Sequence, residues 1–190
     1  MLPPFFYTGA VSGGKPIYLV GMMGVGKSTV GALLADALGR GFVDTDREIE
    51  RMTGRNVAQI FEQEGEARFR ELERAAIEET LERTPSAVIA LGGGAIVQPG
   101  MLARLKGRGL IIYLRATPEA LSNRIGDSAS RPLLAGLSAG ARVARLAALL
   151  ETRRAFYEQA DHWVDAEEDA AEVVQRIRDV LGRRAVGDRK

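Results

Sequence analysis

"GMMGVGKST", residues 21–29, is the stretch that decides how the rest of the chain is interpreted. It fits the pattern G-x-x-x-x-G-K-[ST], with Gly21, Gly26, Lys27 and Ser28 at the fixed positions. In this pattern backbone N–H groups surround phosphate oxygens, the lysine reaches the β- and γ-phosphates, and the serine hydroxyl lies on Mg²⁺. The pattern also occurs by chance, so its neighbours must decide.

The elements on either side of the motif are those that phosphate binding requires. "PIYLV" (16–20) predicts a strand, and apolar residues at helical spacing over 30–38 predict a helix that ends at Gly39. The start of that helix adds a favourable dipole for an anion. A glycine-rich turn with an incidental lysine is the alternative, and the agreement of the motif with both flanks favours a nucleotide-phosphate site.

Further apolar runs predict an α/β fold. Four more strands are expected at "GFV" (41–43), "AVIAL" (87–91), "GLIIYL" (109–114) and "HWV" (162–164). Helical patterns cover 66–83, 139–160 and 169–181, and Thr117-Pro118 opens another helix. Strands that alternate with helices predict a parallel sheet with helices on both faces.

Composition limits the class of protein. A chain of 190 residues with 46% hydrophobic and 27% charged residues is typical of one globular domain. The formal charge of +1 gives no reason to expect nucleic acid or an anionic membrane as partner. The sequence has no cysteine and no secretory signal pattern, and we expect a cytoplasmic protein.

The boundaries follow from composition. We expect a single domain at 15–182, a flexible N-terminal extension at 1–14 and a polar C-terminal tail at 183–190. "GDSASRPLLAGLSAG" (126–140) is the longest segment without clear periodicity, which favours a functional lid.

"FVDTD" (42–46) places two carboxylates at the end of a predicted strand. In an extended backbone Asp44 and Asp46 would point the same way, about 6.5 Å apart, with Thr45 on the other face. Like charges that close need a cation or a proton between them. A solvated turn is the alternative, because aspartate is common in turns.

Other nucleotide-binding classes lack support. The sequence contains neither the N-K-x-D motif of GTPases nor the L-S-G-G-Q motif of transport ATPases. Three glycines, Gly92, Gly93 and Gly94, follow the strand at 87–91 in place of the usual acidic residue. They form either a flexible turn or a surface on which a ligand lies directly against the backbone.

In order and spacing these motifs resemble those of shikimate kinases. The resemblance runs from about residue 15 to 181 and rests on "GMMGVGKST", "DTD", "FRELE" (69–73), "LGGGA" (91–95), "RPLL" (131–134) and "RRAFY" (153–157). It implies a three-layer, nucleoside-monophosphate-kinase-like fold with five parallel strands in the order 2-3-1-4-5 and a mobile lid. It also implies ATP- and Mg²⁺-dependent phosphorylation of the 3-hydroxyl of shikimate, in the route to chorismate and the aromatic amino acids.

The resemblance implies roles for individual residues. Asp46 binds shikimate hydroxyls and is placed to act as base, alongside Lys27, and Asp44 holds the water shell of Mg²⁺ together with Ser28. Arg70 and Arg153 bind the shikimate carboxylate, and Gly93 contacts the ring hydroxyls. The residues assigned to ATP are Gly24, Val25, Gly26, Lys27, Ser28, Thr29 and Arg131.

The residues themselves allow other interpretations. Arg70 and Glu73 are spaced for an ordinary i,i+3 ion pair on a charged helix face. Arg153 is preferred over Arg154 only by its spacing to Tyr157. Arg131 fits a surface charge equally well.

The chain departs from the family pattern at two places. Ala155 and Phe156 replace the usual proline and leucine, and "VDAEEDA" (164–170) lacks an arginine that some members place near the adenine. The competing hypotheses are a kinase for another polyol acid, such as gluconate, and a non-catalytic ATP-binding module. The second predicts loss of Lys27, Ser28 or Asp46, and all three are present. We expect a monomer.

Overall fold

The computed structural model describes residues 14–125 and 131–187, and side chains as far as residue 182. Three predicted features therefore lie partly outside the described residues. These are the N-terminal extension (1–13 of 1–14), the beginning of the lid (126–130) and the end of the C-terminal tail (188–190).

The described residues form a sheet of five parallel strands. The strands are β1 (Ile17–Val20), β2 (Phe42–Asp44), β3 (Val88–Ala90), β4 (Leu110–Arg115) and β5 (His162–Asp165). Their order across the sheet is β2-β3-β1-β4-β5. All five strands were predicted, and the order implied by the family resemblance is confirmed.

The burial of each strand follows its place in the sheet. β1 is central, and its Ile17 pairs with Val88 on one side and Leu110 on the other. β1 and β3 are buried along their whole length, and β4 is buried except at Arg115. Strands covered on both faces need continuous apolar runs, which explains why these three were visible in the sequence.

Seven helices cover the sheet in the described part of the chain. They are α1 (Lys27–Leu38), α2 (Thr45–Thr53), α3 (Val57–Arg83), α4 (Met101–Arg108), α5 (Pro118–Ile125), α6 (Ala139–Tyr157) and α7 (Ala170–Gly187). α1 packs against α7 and α5 packs against α6. The predicted three-layer α/β fold is confirmed, and α7 continues past its expected end at residue 181. None of the described helices is long and apolar enough to cross a membrane.

Helix α2 corrects the expectation for "FVDTD". Asp44 is extended but is the N-cap of α2, and its side chain accepts from the N–H groups of Asp46 and Arg47. Asp46 already lies in the first helical turn, so the two carboxylates do not share one face of a strand. Neither the extended pair nor the solvated turn was right, because an aspartate followed by exposed backbone N–H groups favours a helix start.

A second, smaller core holds α2 against α3. Ile49, Ile60, Phe69 and Ala76 form a buried cluster separate from the main core. Within α3, Gly65 has a non-helical backbone (φ 80°, ψ 175°), so that the helix is broken there. A left-handed φ favours glycine, which explains the residue at the break. The segment from α2 to Gly65 thus packs on its own cluster.

Candidate active site

A cleft of about 520 Å³ opens at the carboxyl ends of β1, β2 and β3. Lys27 at the start of α1, Asp44 at the end of β2, Asp46 in the first turn of α2 and Gly93 after β3 line its wall. Ligands in open parallel sheets bind at this edge, where strand connections lead to opposite sides. The motifs separated in sequence therefore meet because all three strands run the same way.

The phosphate loop has the backbone shape that its glycines permit. Gly21, Gly24 and Gly26 have φ angles of 144°, 81° and 99°, which other residues rarely adopt. A Cβ at Gly21 would lie 2.5 Å from the Leu114 carbonyl oxygen. α1 starts at Lys27 with no side-chain cap and no acidic residue in its first turn among the described residues. Its N-terminus is suited to an anion.

The Lys27 side chain is held by two backbone carbonyl groups of the phosphate loop. Its Nζ donates to the carbonyl oxygens of Gly21 (2.8 Å) and Met22 (2.9 Å). Burial lowers the pKa of the Lys27 ammonium to about 8, and the nearby Asp46 and Asp44 carboxylates oppose that shift. An ammonium has three N–H donors, so one remains for an incoming oxygen.

Asp44 links the phosphate loop to α2. Its Oδ2 accepts from the Ser28 hydroxyl at 2.5 Å, and its Oδ1 caps α2. Ser28 and Asp44 thus form a polar pair at the mouth of α1. No group of three or more histidine, cysteine or acidic residues that could hold a metal is found in the described residues. This pair fits Mg²⁺ held mainly through phosphates and water, as magnesium prefers.

Asp46 is half-buried and has one buried carboxylate oxygen. Its Oδ1 has no hydrogen-bond partner among the described residues. Burial raises the pKa of the Asp46 carboxyl to about 6, the charges of Asp44 and Glu73 add to the rise, and Lys27 and Arg131 oppose it. A group of this kind takes up a proton near neutral pH, which suits a general base.

Thr45, between the two aspartates, joins β2 to the end of β3. It is fully buried, donates to the Ala90 carbonyl oxygen at 3.3 Å and accepts from the Gly92 N–H at 3.0 Å. The hydroxyl therefore replaces ladder hydrogen bonds where β3 ends. It sets the distance between the aspartates and the glycine loop.

Each glycine at 92–94 lies against a neighbouring group. A Cβ at Gly92 would lie 2.1 Å from Glu73 Oε1 and 2.9 Å from Asp46 Oδ1. A Cβ at Gly94 would lie 2.6 Å from Arg70 Nη1. Gly93 approaches the phosphate loop, where a Cβ would lie 3.3 Å from the Met23 nitrogen. The turn is tightly packed, so the flexible-turn interpretation is wrong.

Arg70 both forms an ion pair along its helix and lines the cleft. It forms the expected i,i+3 pair with Glu73 (2.7 Å) and a second pair with Glu66 (2.9 Å). Glu73, however, is fully buried, and Gln98 donates to the same Oε2 at 2.7 Å. Arg70 therefore lines the cleft on a fixed support, rather than belonging to a solvated face.

The helix α6 separates Arg153 from Arg154. Arg153 is 6% exposed, lines the cleft and donates to the Gly93 carbonyl oxygen at 3.1 Å. Arg154 is exposed and pairs with Glu151 at 3.0 Å. The spacing to Tyr157 thus selected the arginine that faces the cleft.

The other predicted residues lie at this site as well. Gly24, Gly26, Thr29 and Arg131 line the cleft, and the Arg131 charge acts on both Lys27 and Asp46. Val25 is buried below the loop and does not line it. From the described part of the predicted lid, Pro132–Leu134 forms a short 3-10 helix.

Two residues at the site were missed by sequence reasoning. Glu73 was treated only as a surface partner of Arg70. Arg124, in α5, donates to the carbonyl oxygens of Val25 (3.3 Å), Ala166 (2.5 Å) and Glu168 (3.1 Å) beside a second cleft of about 220 Å³. Arg124 thus lies beside the "VDAEEDA" segment, which has no arginine of its own, and no local pattern around residue 124 signalled it.

Comparison with known proteins identifies the family. The sequence model of the family described as shikimate kinase matches residues 23–182. The chain belongs to the shikimate kinase family. The shikimate kinase of Caldanaerobacter subterraneus is 41% identical over 174 residues, which cover 89% of this chain and 99% of that protein. The shikimate kinase of Salinibacter ruber is 43% identical, over 89% of this chain and 85% of the relative.

Solved structures agree with this assignment. The shikimate kinase from Acinetobacter baumannii in complex with shikimate has a TM-score of 0.83 and 39% identity, and covers 90% of this chain and 94% of its own. A gluconokinase from Sinorhizobium meliloti has a TM-score of 0.58 and 18% identity, over 91% and 94% of the two chains. The second likeness shows a shared fold alone.

The close packing at Gly92 predicts a large effect of one methyl group. Gly92→Ala should lower the free energy of unfolding by about 1–3 kcal/mol, because the added Cβ overlaps the buried Glu73 carboxylate. The matched control is Gly107→Ala in α4, where nothing lies within 4 Å of the added carbon. It should stabilise the protein by about 0.5–1 kcal/mol. Urea unfolding measures both, and a similar small change in both variants would contradict the packing.

Proposed function

We propose that this chain phosphorylates the 3-hydroxyl of shikimate, with Mg²⁺-ATP as phosphoryl donor, to give shikimate 3-phosphate and ADP. The observation that carries the proposal is one cleft that is lined by the phosphate loop and by two arginines, Arg70 and Arg153. A carboxylate with an unpartnered buried oxygen, Asp46, lines the same cleft. A substrate with a carboxylate and a reactive hydroxyl meets all three features.

Arg70 and Arg153 bind the substrate carboxylate in this proposal. A guanidinium offers a planar fork of donors that matches a carboxylate, which an ammonium cannot reproduce. Arg70 is supported by Glu73, and Arg153 by the Gly93 carbonyl, so that both forks are oriented before a ligand arrives. Gly93 is the proposed contact for the ring hydroxyls, since its backbone lines the same wall.

Asp46 is the proposed base. As the 3-hydroxyl oxygen forms its bond to the γ-phosphorus, the bond from that phosphorus to the β,γ-bridging oxygen of ADP breaks, and the hydroxyl proton passes to Asp46. Its unpartnered buried Oδ1 is an acceptor without competing donors in the described residues. The Lys27 ammonium, with one free N–H, offsets charge on the transferring group.

Mg²⁺ is the proposed metal, and it offsets the phosphate charge when bound. Ser28 and Asp44 hold it in this proposal, with Asp44 acting through water. The Asp44 carboxylate already accepts a hydrogen bond from the Ser28 hydroxyl, so the two groups lie next to each other at the start of α1.

The remaining roles concern ATP and the state of the protein. Gly24, Val25, Gly26, Thr29 and Arg131 are the proposed ATP contacts, and we add Arg124 because it borders the smaller cleft behind the phosphate loop. We also propose a cytoplasmic monomer with no nucleic-acid partner. The formal charge of +1 gives no reason to expect a nucleic-acid partner, and the lack of cysteine agrees with a reducing compartment.

An assay of ADP release tests the function. The wild-type chain with Mg²⁺-ATP should release ADP only when shikimate is added, and gluconate should not replace shikimate. Lys27→Ala should remove most of the turnover, because charge on the transferring phosphoryl group loses its counter-charge. Release with gluconate alone would instead support the polyol-acid rival. If ADP is released with neither shikimate nor gluconate, the result would support a non-catalytic ATP-binding module.

Arg153→Lys and Arg154→Lys form a matched pair of neighbours. Lysine at 153 keeps the charge but loses the bidentate fork, so shikimate binding should weaken by about 1–3 kcal/mol. Arg70→Lys should behave similarly, and ATP affinity should stay unchanged in both. Arg154→Lys should bind shikimate normally, because its partner is a surface glutamate. Calorimetric titration with shikimate and ATP measures this, and equal losses for both ligands would indicate a structural role.

Asp46→Asn and Asp44→Asn should fail differently. Asparagine at 46 cannot take a proton, so kcat should fall by roughly 10²–10⁴-fold. Asparagine at 44 still caps α2 but removes the charge beside Ser28. That variant should need more Mg²⁺ for its half-maximal rate. A Mg²⁺ titration of kcat for both variants is the measurement, and identical responses would contradict this division of roles.

A further inference from the structure

Tyr157 lies at the base of the cleft, below the glycine loop. It is fully buried, and its hydroxyl donates to the Gly93 carbonyl oxygen at 2.5 Å. The same oxygen accepts from Arg153 Nη1 at 3.1 Å. Arg153 and Tyr157 are four residues apart on α6 and therefore share one helix face. A carbonyl oxygen has two lone pairs, so one acceptor holds both groups.

The ring and the hydroxyl of Tyr157 are both fixed. The ring stacks on Tyr113, with centroids 4.9 Å apart and planes at 15°. The hydroxyl also lies 3.7 Å from Met22 Sδ, and Arg153 Nη1 lies 3.8 Å from the same sulfur. Burial raises the pKa of the Tyr157 hydroxyl to about 12, so it stays a proton donor at neutral pH. The Gly93 carbonyl is its strong acceptor.

We infer that Tyr157 is a positioning residue, which holds the Gly93 carbonyl so that Arg153 presents its guanidinium fork to the substrate carboxylate. The inference rests on the proposed function. Tyr157 itself does not line the cleft and acts only through Gly93 and Arg153. Without its hydroxyl the ring still fills its place, but the carbonyl is held by the arginine alone. The loop and the guanidinium then gain freedom, which binding must remove.

The test compares Tyr157→Phe with Tyr113→Phe. Each change removes one hydroxyl and keeps the stacked ring pair. In Tyr157→Phe, kcat/KM for shikimate should fall about three- to tenfold, the scale of one hydrogen bond, while KM for ATP should change less than about twofold. Tyr113→Phe should leave both values unchanged, since no hydrogen bond of its hydroxyl is found in the described residues. The assay is shikimate-dependent ADP release.

The methyl ester of shikimate separates positioning from general support. The ester lacks the carboxylate charge, so Tyr157→Phe and wild type should use it with equal kcat/KM, within about twofold. The same loss with ester and acid, the same loss in Tyr113→Phe, or no loss with shikimate would each overturn the inference. These results are distinct from failure of the proposed function, in which the wild-type chain releases no ADP with shikimate.

Discussion

The site depends on three consecutive glycines, Gly92, Gly93 and Gly94, which follow β3. Glu73 and Asp46 approach Gly92 and Arg70 approaches Gly94 more closely than a Cβ would allow, and the phosphate loop lies close to Gly93. The glycines therefore let groups from three separate segments reach one place. Thr45 hydrogen-bonds to the Gly92 N–H from below and connects this turn to the aspartates. The tight turn thus fixes the relative positions of the base, the arginines and the phosphate loop.

The two acidic side chains beside the glycine loop, Glu73 and Asp46, have different hydrogen-bond partners. Glu73 Oε2 accepts from Arg70 and Gln98, while Glu73 Oε1 and Asp46 Oδ1 both have no hydrogen-bond partner among the described residues. Burial raises the pKa of the Asp46 carboxyl to about 6. A buried carboxylate is tolerable when donors satisfy it, and it favours a proton when they do not. The two acidic residues differ in that one oxygen of Glu73 is held by two donors, Arg70 and Gln98. Glu73 supports an arginine, and Asp46 is left able to accept a proton.

Most of the fold could be predicted because β1, β3 and β4 are buried and the phosphate loop has a defined pattern. α2 could not, since Ile49 is its only fully buried apolar residue and its start depends on the Asp44 cap. The start of α3 was also missed, although Asn56 and Gln59 form a capping box that the sequence contains. Glu73 was missed for a different reason. A charged helix face looks solvated in sequence, and only the fold buries one of its carboxylates.

The cleft is built on two cores. The phosphate loop rises from β1 within the main core, whereas α2 and the start of α3 pack on the smaller cluster around Ile49 and Ile60. Gly65 breaks α3 between the smaller cluster's first residues and the helical turn that carries Arg70. Arg70 lies after the break with Glu73, whereas Val57 and Phe61 lie before it. The wall formed by Val57 and Phe61 thus packs on the smaller core and lies on the other side of the break in α3 from Arg70.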